Sequence, residues 1–329
     1  MWFTVRNTKA NIFRDKKIGL ALGGGGVRGL AHIGVLKVLE QEGIKIDLIA
    51  GSSAGALIGG AYASGDSPQM IKDKIEAYLC SPQFKSSMIK SFGYTIIDQK
   101  PGTLLKRIRY LLRNRYYLIK ALFKSAILPT EDVESMVNYI IPDIDIRQTR
   151  IPLRVVTTDL KTGEKVVFSS GPLRQAVLAS CAFPGAIQPI KQGEWILADG
   201  GIASMVPVHV ATESGADLVI GVTVDRDTSD SNGFDTVQDI VYRAGAIAAT
   251  KLKEIELTDA DVIIKPKIGD IHWMDFVNIT DLTCLGEEAT REVLDEIYRV
   301  LPFARKISRY RLRLSSFWES IKSKLHCKS

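Results

Sequence analysis

The chain has 329 residues, 46% of them hydrophobic, and a formal net charge of +6, which is enough apolar material for one large α/β domain or two small ones. No apolar run approaches the ~18 residues that span a bilayer, and the first dozen residues lack the apolar core of a secretory signal peptide. The four cysteines are far apart in the sequence: Cys80, Cys181, Cys284 and Cys327. This spacing excludes a disulfide framework or a paired-cysteine metal site, and it predicts free thiols in a reducing compartment.

The first predicted element is a short apolar strand over residues 18–22, which breaks into four consecutive glycines before an amphipathic helix pattern. Two interpretations of this junction are open. Gly24 to Gly29 matches G-x-G-x-x-G, which is typical of dinucleotide binding, with Asp47 as a candidate for the ribose-binding acid. However, Asp47 precedes its predicted strand, whereas that fingerprint places the acid at the end of a strand.

The interpretation that we favour for the glycine loop is an oxyanion hole. Gly24, Gly25 and Gly26 offer consecutive backbone N–H groups, unobstructed by side chains, to the carbonyl oxygen of an acyl substrate. Arg28 would then brace the loop or attract an anionic head group, and Gly29 supports the same loop.

A second junction carries a serine. An apolar run turns through residues 51–55, Gly-Ser-Ser-Ala-Gly, into another helix of small residues. In G-x-S-x-G the serine occupies the apex of a tight strand-to-helix turn, and side chains in place of Gly51 and Gly55 would collide with neighbouring elements. The turn presents the Ser53 hydroxyl at the positive end of the following helix, where a developing oxyanion is stabilised. Ser52 occupies an x position and is expected to point away from the apex.

A third strand end lies far downstream, where an apolar run over residues 195–198 ends in Asp199-Gly200-Gly201. Alone, this is an ordinary turn signal, since Asp-Gly is common in hairpins. In this order, however, the three motifs match G-G-G-x-[KR]-G, G-x-S-x-G and D-G-[GA], the pattern of the patatin-like phospholipase family. The chain resembles that family over roughly residues 16–300, and residues 179–185 resemble the segment that precedes the family's aspartate strand.

The resemblance implies a three-layer α/β/α fold with a largely parallel central sheet and a catalytic dyad of Ser53 and Asp199. It implies hydrolysis of lipid ester bonds without a metal ion or other cofactor. Because an ordinary aspartate, with a pKa of about 3.9, is a weak base toward an alcohol, we expect burial to increase the basicity of Asp199. A Ser–Asp–His triad is the alternative, since His209 and His272 both follow Asp199. His32 is expected to pack beside the glycine loop instead.

The rest of the chain alternates predicted strands and helices. The further strands cover residues 151–158, 165–168, 194–198, 218–224 and 262–265. The further helices cover residues 67–79, 173–180, 208–214 and 236–257, and residues 286–300 close the domain. Continuous apolar strands between helices indicate a largely parallel sheet covered on both faces, with the three motifs at the C-terminal ends of its strands.

Two stretches account for the basic character of the chain. Residues 99–130 contain eight Lys or Arg and no acid, and residues 303–329 contain eight against one glutamate, among aromatic and Leu side chains in both cases. They contribute +8 and +7, so the rest of the chain carries −9. Solvated helix faces and nucleic acid are the alternatives. We favour an anionic membrane surface, where each Lys or Arg contributes about 1 kcal/mol, because no nucleic-acid motif accompanies the charge.

The expected organisation is an acyl hydrolase domain over residues 16–300, with a basic helical insertion at about 85–128, and a basic amphipathic tail over residues 301–329. The expected function is hydrolysis of phospholipid or lysophospholipid esters by a cytoplasmic, peripherally membrane-associated protein, with export by another route left open. A lipid transacylase is one alternative. A non-catalytic lipid-binding or regulatory module on the same fold is another, and the intact serine, aspartate and glycine loop argue against it. The sequence identifies no protein partner.

Overall fold

The computed structural model describes residues 16–89, 126, 128–224, 237–269, 271 and 279–301. Within these ranges the strands are β1 Ile18–Leu22, β2 Leu48–Ser52, β3 Leu153–Asp159, β4 Lys165–Phe168, β5 Ile190–Gln192, β6 Trp195–Asp199, β7 Leu218–Val222 and β8 Val262–Ile264. The helices are α1 Ala31–Gln41, α2 Ala54–Ser64, α3 Pro68–Cys80, α4 Pro82–Ser86, α5 Thr130–Ile140, α6 Leu173–Ser180, α7 Val208–Glu213, α8 Val237–Leu257, α9 Ile279–Glu292 and α10 Leu294–Val300. Of these described helices, none combines the length and the apolar character that a bilayer crossing requires.

The described strands form one sheet in the order β5-β6-β3-β2-β1-β7-β8, and β4 pairs with β3 outside this path. The strands β3, β2, β1, β7 and β8 run parallel to one another, whereas β4, β5 and β6 are antiparallel to their neighbours. The central strands β1, β2 and β7 are buried along their whole length, as expected for parallel strands covered on both faces. The predicted α/β fold with a largely parallel sheet is confirmed.

Helices cover the sheet on both faces and enclose two apolar cores. Alternate residues of β1 point to opposite sides, because Ile18, Leu20 and Leu22 join the larger core and Ala21 joins the smaller one. The larger core lies under α1, α2, α3, α5, α6 and α9, and the smaller one lies under α7 and the end of α8. The architecture is therefore three-layered.

The sequence pattern predicts most described elements closely, but not all of them. The segment that closes the domain begins earlier than residue 286: α9 begins at Ile279, and Val293, with φ −104° and ψ 7°, separates it from α10. The pattern also misses α5, which directly follows the basic stretch, and β5, a strand of three partly exposed residues. The basic stretches 99–130 and 303–329 lie outside the described residues, apart from residues 126 and 128–130. Cys80, Cys181 and Cys284 are free thiols, as predicted.

Two glycines allow α1 and α9 to pack in unusually close contact. A Cβ on Gly34 of α1 would lie 1.9 Å from the Thr283 carbonyl oxygen, and a Cβ on Gly286 of α9 would lie 1.9 Å from the Ala31 carbonyl oxygen. Both glycines are buried, and the position of a Cβ is fixed by the backbone. Only a movement of one helix away from the other could therefore relieve such a clash. This contact fixes α1, the helix that follows the glycine loop.

Replacing Gly286 by alanine is expected to lower the free energy of unfolding by about 2–3 kcal/mol, since the added methyl group forces α1 and α9 apart. The matched control is Gly245→Ala in α8, where an added Cβ meets nothing within 4 Å. That change is expected to stabilise the protein by about 0.5–1 kcal/mol, because alanine loses less conformational entropy in a helix. Urea unfolding of both variants measures the difference, and equal effects of the two changes would contradict the close contact.

Candidate active site

Ser53 lies at the apex of the turn between β2 and α2. Its backbone has φ 53° and ψ −121°, and no other non-glycine residue in the described chain has a positive φ. Such a conformation costs about 1–3 kcal/mol and persists only where the surrounding structure enforces it. A Cβ on Gly51 would lie 2.6 Å from the Gly55 carbonyl oxygen, and a Cβ on Gly55 would lie 2.1 Å from the Leu22 carbonyl oxygen. Close packing therefore requires both glycines.

The strand that carries Asp199 reaches Ser53 by a route that the sequence does not predict. Asp199 is the last residue of β6, at a strand end as expected, but β6 runs antiparallel to β3. β4 occupies one edge of β3, which leaves the other edge to be shared by β2 and β6. On that edge Ser52 pairs with Val156, and Asp199 pairs with Thr157. The two strands therefore run toward each other along this edge, and their C-terminal ends meet.

This arrangement brings the two predicted site residues into direct contact. The Ser53 hydroxyl donates a hydrogen bond of 2.5 Å to Oδ2 of Asp199, and the Gly201 N–H donates one of 2.7 Å to Oδ1. The Asp199 side chain is almost completely buried. Burial raises the pKa of Asp199 to about 6, against the lowering effect of the hydrogen bonds from Ser53 and Gly201. A Cβ on Gly200 would lie 2.2 Å from the Val156 carbonyl oxygen, so the turn also requires this glycine.

Helix α6 holds the backbone of the serine turn through contacts that sequence reasoning missed. The Ser180 hydroxyl accepts a hydrogen bond of 2.8 Å from the Ser53 N–H and donates one of 2.6 Å to the Val156 carbonyl. The neighbouring Cys181 thiol lies 3.6 Å from the Ser53 carbonyl oxygen, and burial raises the pKa of this thiol well above its usual value. The only signal in the sequence was the position of Ser180 in the segment that precedes the aspartate strand.

The glycine loop lies against the serine turn, but its three predicted donors are not equivalent. A Cβ on Gly24 would lie 3.3 Å from the Cβ of Ser53, which shows how closely the loop approaches. The Gly24 N–H donates a hydrogen bond of 3.0 Å to the Met205 carbonyl, so it is committed to the fold, and the assignment of Gly24 as an oxyanion donor needs correction. The N–H groups of Gly25 and Gly26 have no hydrogen-bond acceptor among the described residues. They are the two amides that the loop leaves for an external acceptor.

Arg28 and Gly29 support the loop from its C-terminal side. Arg28 Nε donates a hydrogen bond of 3.0 Å to the Gly25 carbonyl, which agrees with the predicted bracing role. A Cβ on Gly29 would lie 2.4 Å from the Cβ of Ala54, so this glycine lets the loop approach the first turn of α2. Because Ala54 directly follows Ser53, the loop and the serine turn are held in fixed register.

No histidine of the described chain forms a hydrogen bond with Ser53 or Asp199. His32 packs beside the glycine loop, as predicted: its Nε2–H donates a hydrogen bond of 2.8 Å to the Gly23 carbonyl. Burial lowers the pKa of His32 to about 4, so the ring stays neutral at pH 7. His209 is partly exposed, and its Nδ1 lies 3.4 Å from Oδ2 of Asp259. His272 lies outside the described residues.

The dinucleotide interpretation of the glycine loop fails at Asp47. This residue lies just before β2, and its Oδ2 accepts a hydrogen bond of 2.8 Å from the Ile18 N–H at the start of β1. The start of β1 is the edge of the sheet opposite the glycine loop, which follows the end of the same strand. Asp47 therefore braces the far end of the sheet, where it cannot meet a ligand held by the loop.

The fold and this site define an α/β protein with a tight strand–turn–helix elbow, in which a strained serine donates to a buried aspartate beside a glycine loop. The comparison with known families agrees with this class. A family model described as patatin-like phospholipase matches residues 20–212, which cover the glycine loop, the serine turn and the aspartate strand. The chain belongs to the patatin-like phospholipase family.

Individual relatives extend the similarity beyond the motifs. An uncharacterized NTE family protein of Mycobacterium tuberculosis is 34% identical over 208 residues, which are 63% of this chain and 49% of the relative. Patatin-like phospholipase domain-containing protein 7 of Rattus norvegicus is 28% identical over 303 residues, 90% of this chain and 20% of the relative. The chain thus spans about half the length of the first relative and about a fifth of the second. The crystal structure of VipD from Legionella pneumophila is similar at a TM-score of 0.48 and 17% identity, over 86% of this chain and 67% of VipD.

Proposed function

We propose that this protein hydrolyses the carboxylic esters of phospholipids or lysophospholipids, with Ser53 as the nucleophile and Asp199 as its general base. The family name and the phospholipase names of its relatives support lipid esters as the substrate class. The observation that carries the proposal is the 2.5 Å hydrogen bond from the Ser53 hydroxyl to a buried carboxylate. A serine hydroxyl that already points its proton at a base is prepared for nucleophilic attack.

The proposed first step forms an acyl-enzyme. Ser53 Oγ attacks the ester carbonyl carbon while its proton passes to Oδ2 of Asp199, and the carbonyl electrons move to the oxygen. The N–H groups of Gly25 and Gly26 bind this oxyanion, and the positive end of α2 adds to its stabilisation. The tetrahedral intermediate then collapses, the ester C–O bond breaks, and Asp199 returns the proton to the departing alcohol.

The proposed second step repeats the sequence with water in place of the serine. Asp199 takes a proton from the water, the hydroxide equivalent attacks the acyl-enzyme, and Ser53 leaves with that proton as the fatty acid is released. Burial suits Asp199 to this task, because a carboxylate with a pKa of about 6 is a stronger base than an exposed one and is still ionised at pH 7. The sequence of steps uses no metal ion or other cofactor.

The pH dependence of fatty acid release is the experiment that tests this function. Asp199 accepts a proton only when it is ionised, so kcat/KM on anionic phospholipid vesicles is expected to fall below pH about 6. The fall should approach tenfold for each further pH unit. Release is measured from wild type between about pH 4 and 8 with a chelator present.

A matched control separates Asp199 from a histidine. His209→Gln is expected to leave the acid limb of the profile in place, because His209 pairs with Asp259 and not with the dyad. An acid limb near pH 4, or one that disappears in His209→Gln, would contradict Asp199 as the base. Absence of release from vesicles and from a soluble short-chain ester would contradict the proposed function as a whole.

The basic stretches 99–130 and 303–329 enter the proposal as membrane contacts. Their charge and their aromatic and Leu side chains suit the surface of a bilayer with anionic lipids. On this proposal, the ratio of activity on vesicles to activity on the soluble ester falls as ionic strength rises, because salt screens the attraction between exposed charges.

A further inference from the structure

We propose that Glu256 is a positioning residue for the glycine loop, which it controls through the turn of residues 204–206. This inference rests on the proposed function. It adds a residue from the C-terminal half of the chain, outside the three motifs, to the apparatus that aligns the oxyanion donors with Ser53.

The first link is a pair of hydrogen bonds between Glu256 and the turn of residues 204–206. Glu256 lies in the last turn of α8 and is almost completely buried. The Ser204 hydroxyl donates to Oε1 of Glu256, and the Val206 N–H donates to Oε2 at 3.0 Å. The Ser204 N–H donates to the Gly200 carbonyl at 2.8 Å, so the turn is also tied to the residues that follow Asp199. One planar carboxylate thus holds both ends of a three-residue turn.

The second link runs from the middle of the turn to the glycine loop. The Met205 carbonyl accepts the hydrogen bond from the Gly24 N–H at 3.0 Å. The Met205 sulfur lies 3.5 Å from where a Cβ of Gly24 would be and 3.4 Å from where a Cβ of Gly201 would be. The Met205 side chain therefore packs between the glycine loop and the turn that follows Asp199. A shift of the 204–206 turn would move Gly24, and with it the N–H groups of Gly25 and Gly26.

The chemistry of the contact explains why a carboxylate suits this position. The turn directs the Ser204 hydroxyl and the Val206 N–H at one buried point, and a carboxylate has two acceptor oxygens to receive them. An apolar side chain would leave the Ser204 hydroxyl and the Val206 N–H buried without partners, which costs about 1–3 kcal/mol for each group. The turn would then move to reach other acceptors, and the Gly24 bond would move with it.

The test compares Glu256→Ala with Glu256→Gln. The glutamine can accept from the Val206 N–H through its oxygen and donate to Ser204 Oγ through its amide, so both links persist. Glu254→Ala is the matched control, since Glu254 lies two residues earlier on α8, is half exposed, and forms an ion pair of 2.6 Å with Lys251 on its own helix. Each protein is labelled to completion with a fluorophosphonate to count reactive serines. The constants kcat and KM on a soluble short-chain ester are then expressed per reactive site.

Glu256→Ala is expected to lower kcat per reactive site about 100-fold with KM within about twofold, since misplacement of the donors by about 1 Å acts on the transition state. Glu256→Gln should stay within about fivefold of wild type, and Glu254→Ala should be unchanged. A purely structural role predicts a different pattern: fewer reactive sites or a lower melting temperature, with kcat per site intact. That pattern would overturn the proposal.

A second variant keeps the proposal testable if Glu256→Ala does not fold. Ser204→Ala removes one of the two links and leaves the Val206 bond to Glu256, so kcat per site should fall by a smaller factor, about 3- to 10-fold. Unchanged kcat per site in Ser204→Ala would overturn the proposal. A wild-type protein that neither reacts with the fluorophosphonate nor hydrolyses the ester would overturn the proposed function, and the positioning role with it. An active wild type with unaffected variants would overturn the positioning role alone.

Discussion

Replacing Ser53 by alanine is expected to abolish the release of fatty acid, lowering kcat by about 10⁴-fold or more, because no other group can form the acyl-enzyme. The matched control is Ser52→Ala, one residue earlier. Ser52 is completely buried at the end of β2, and its hydroxyl has no hydrogen-bond partner in the described structure. Its removal leaves no partner unpaired, so Ser52→Ala is expected to keep wild-type activity and to be neutral in stability or stabilising by up to about 1 kcal/mol.

The pair of variants separates chemistry from packing. Both changes remove one hydroxyl from the same turn. Both variants also keep a Cβ at residue 53, so the strain of its backbone is the same in each. Activity is measured on vesicles and on a soluble ester, and binding to vesicles is measured by co-sedimentation. Loss of turnover in Ser53→Ala with intact binding is the expected pattern. Equal activity of the two variants would refute Ser53 as the nucleophile.

Replacing Asp199 by asparagine is expected to lower kcat by about 10³-fold or more and, in the same protein, to increase stability at neutral pH. The folded-state pKa of about 6 lies above the value of 3.8 for an unburied aspartate, so the folded state binds more protons between these two pH values. The contribution of Asp199 to stability is therefore lost as pH rises through this window, and above pH 6 the ionised carboxylate costs about 3 kcal/mol. Asparagine removes this cost and still offers an oxygen to the Gly201 N–H.

Urea unfolding of wild type and Asp199→Asn at several pH values measures this effect. The stability difference should be largest above about pH 6, should shrink as the pH falls toward 3.8, and should vanish below about pH 3, where Asp199 is protonated in both the folded and the unfolded state. His32 titrates in the opposite sense, since burial lowers its pKa, but it is present in both proteins and cancels in the difference. A variant that is less stable than wild type at every pH would contradict the buried, costly carboxylate.

The sequence predicts those parts of the site that depend on local chain geometry. Gly51 and Gly55 flank Ser53 because their neighbours leave no room for a Cβ, and the same holds for Gly200 after Asp199. Such steric requirements appear as particular residue types at a particular spacing, so they can be recognised in a single sequence. The bounds of the buried strands can also be predicted from the sequence, because the apolar runs of a sheet covered on both faces are short and distinct.

The parts that the sequence does not predict are contacts between distant segments. The antiparallel direction of β6, the hydrogen bond from Gly24 to Met205, and the support from Ser180 each join residues more than a hundred positions apart in the chain or depend on strand order. No periodicity encodes which edge of β3 a later strand will use. This is why three glycine amides were expected at the oxyanion site although one of them is already bonded.

Identification of the residue that carries the acyl group during turnover decides whether Ser53 is the nucleophile. Wild-type protein is mixed with an ester substrate, quenched in acid within the first turnovers, digested, and analysed by fragment-ion mass spectrometry, which distinguishes Ser52 from Ser53. We expect an acyl group on Ser53, formed more slowly at pH values where Asp199 is protonated, because acylation also needs the ionised carboxylate. An acyl group on any other residue, or steady turnover without acylation of Ser53, would contradict this expectation.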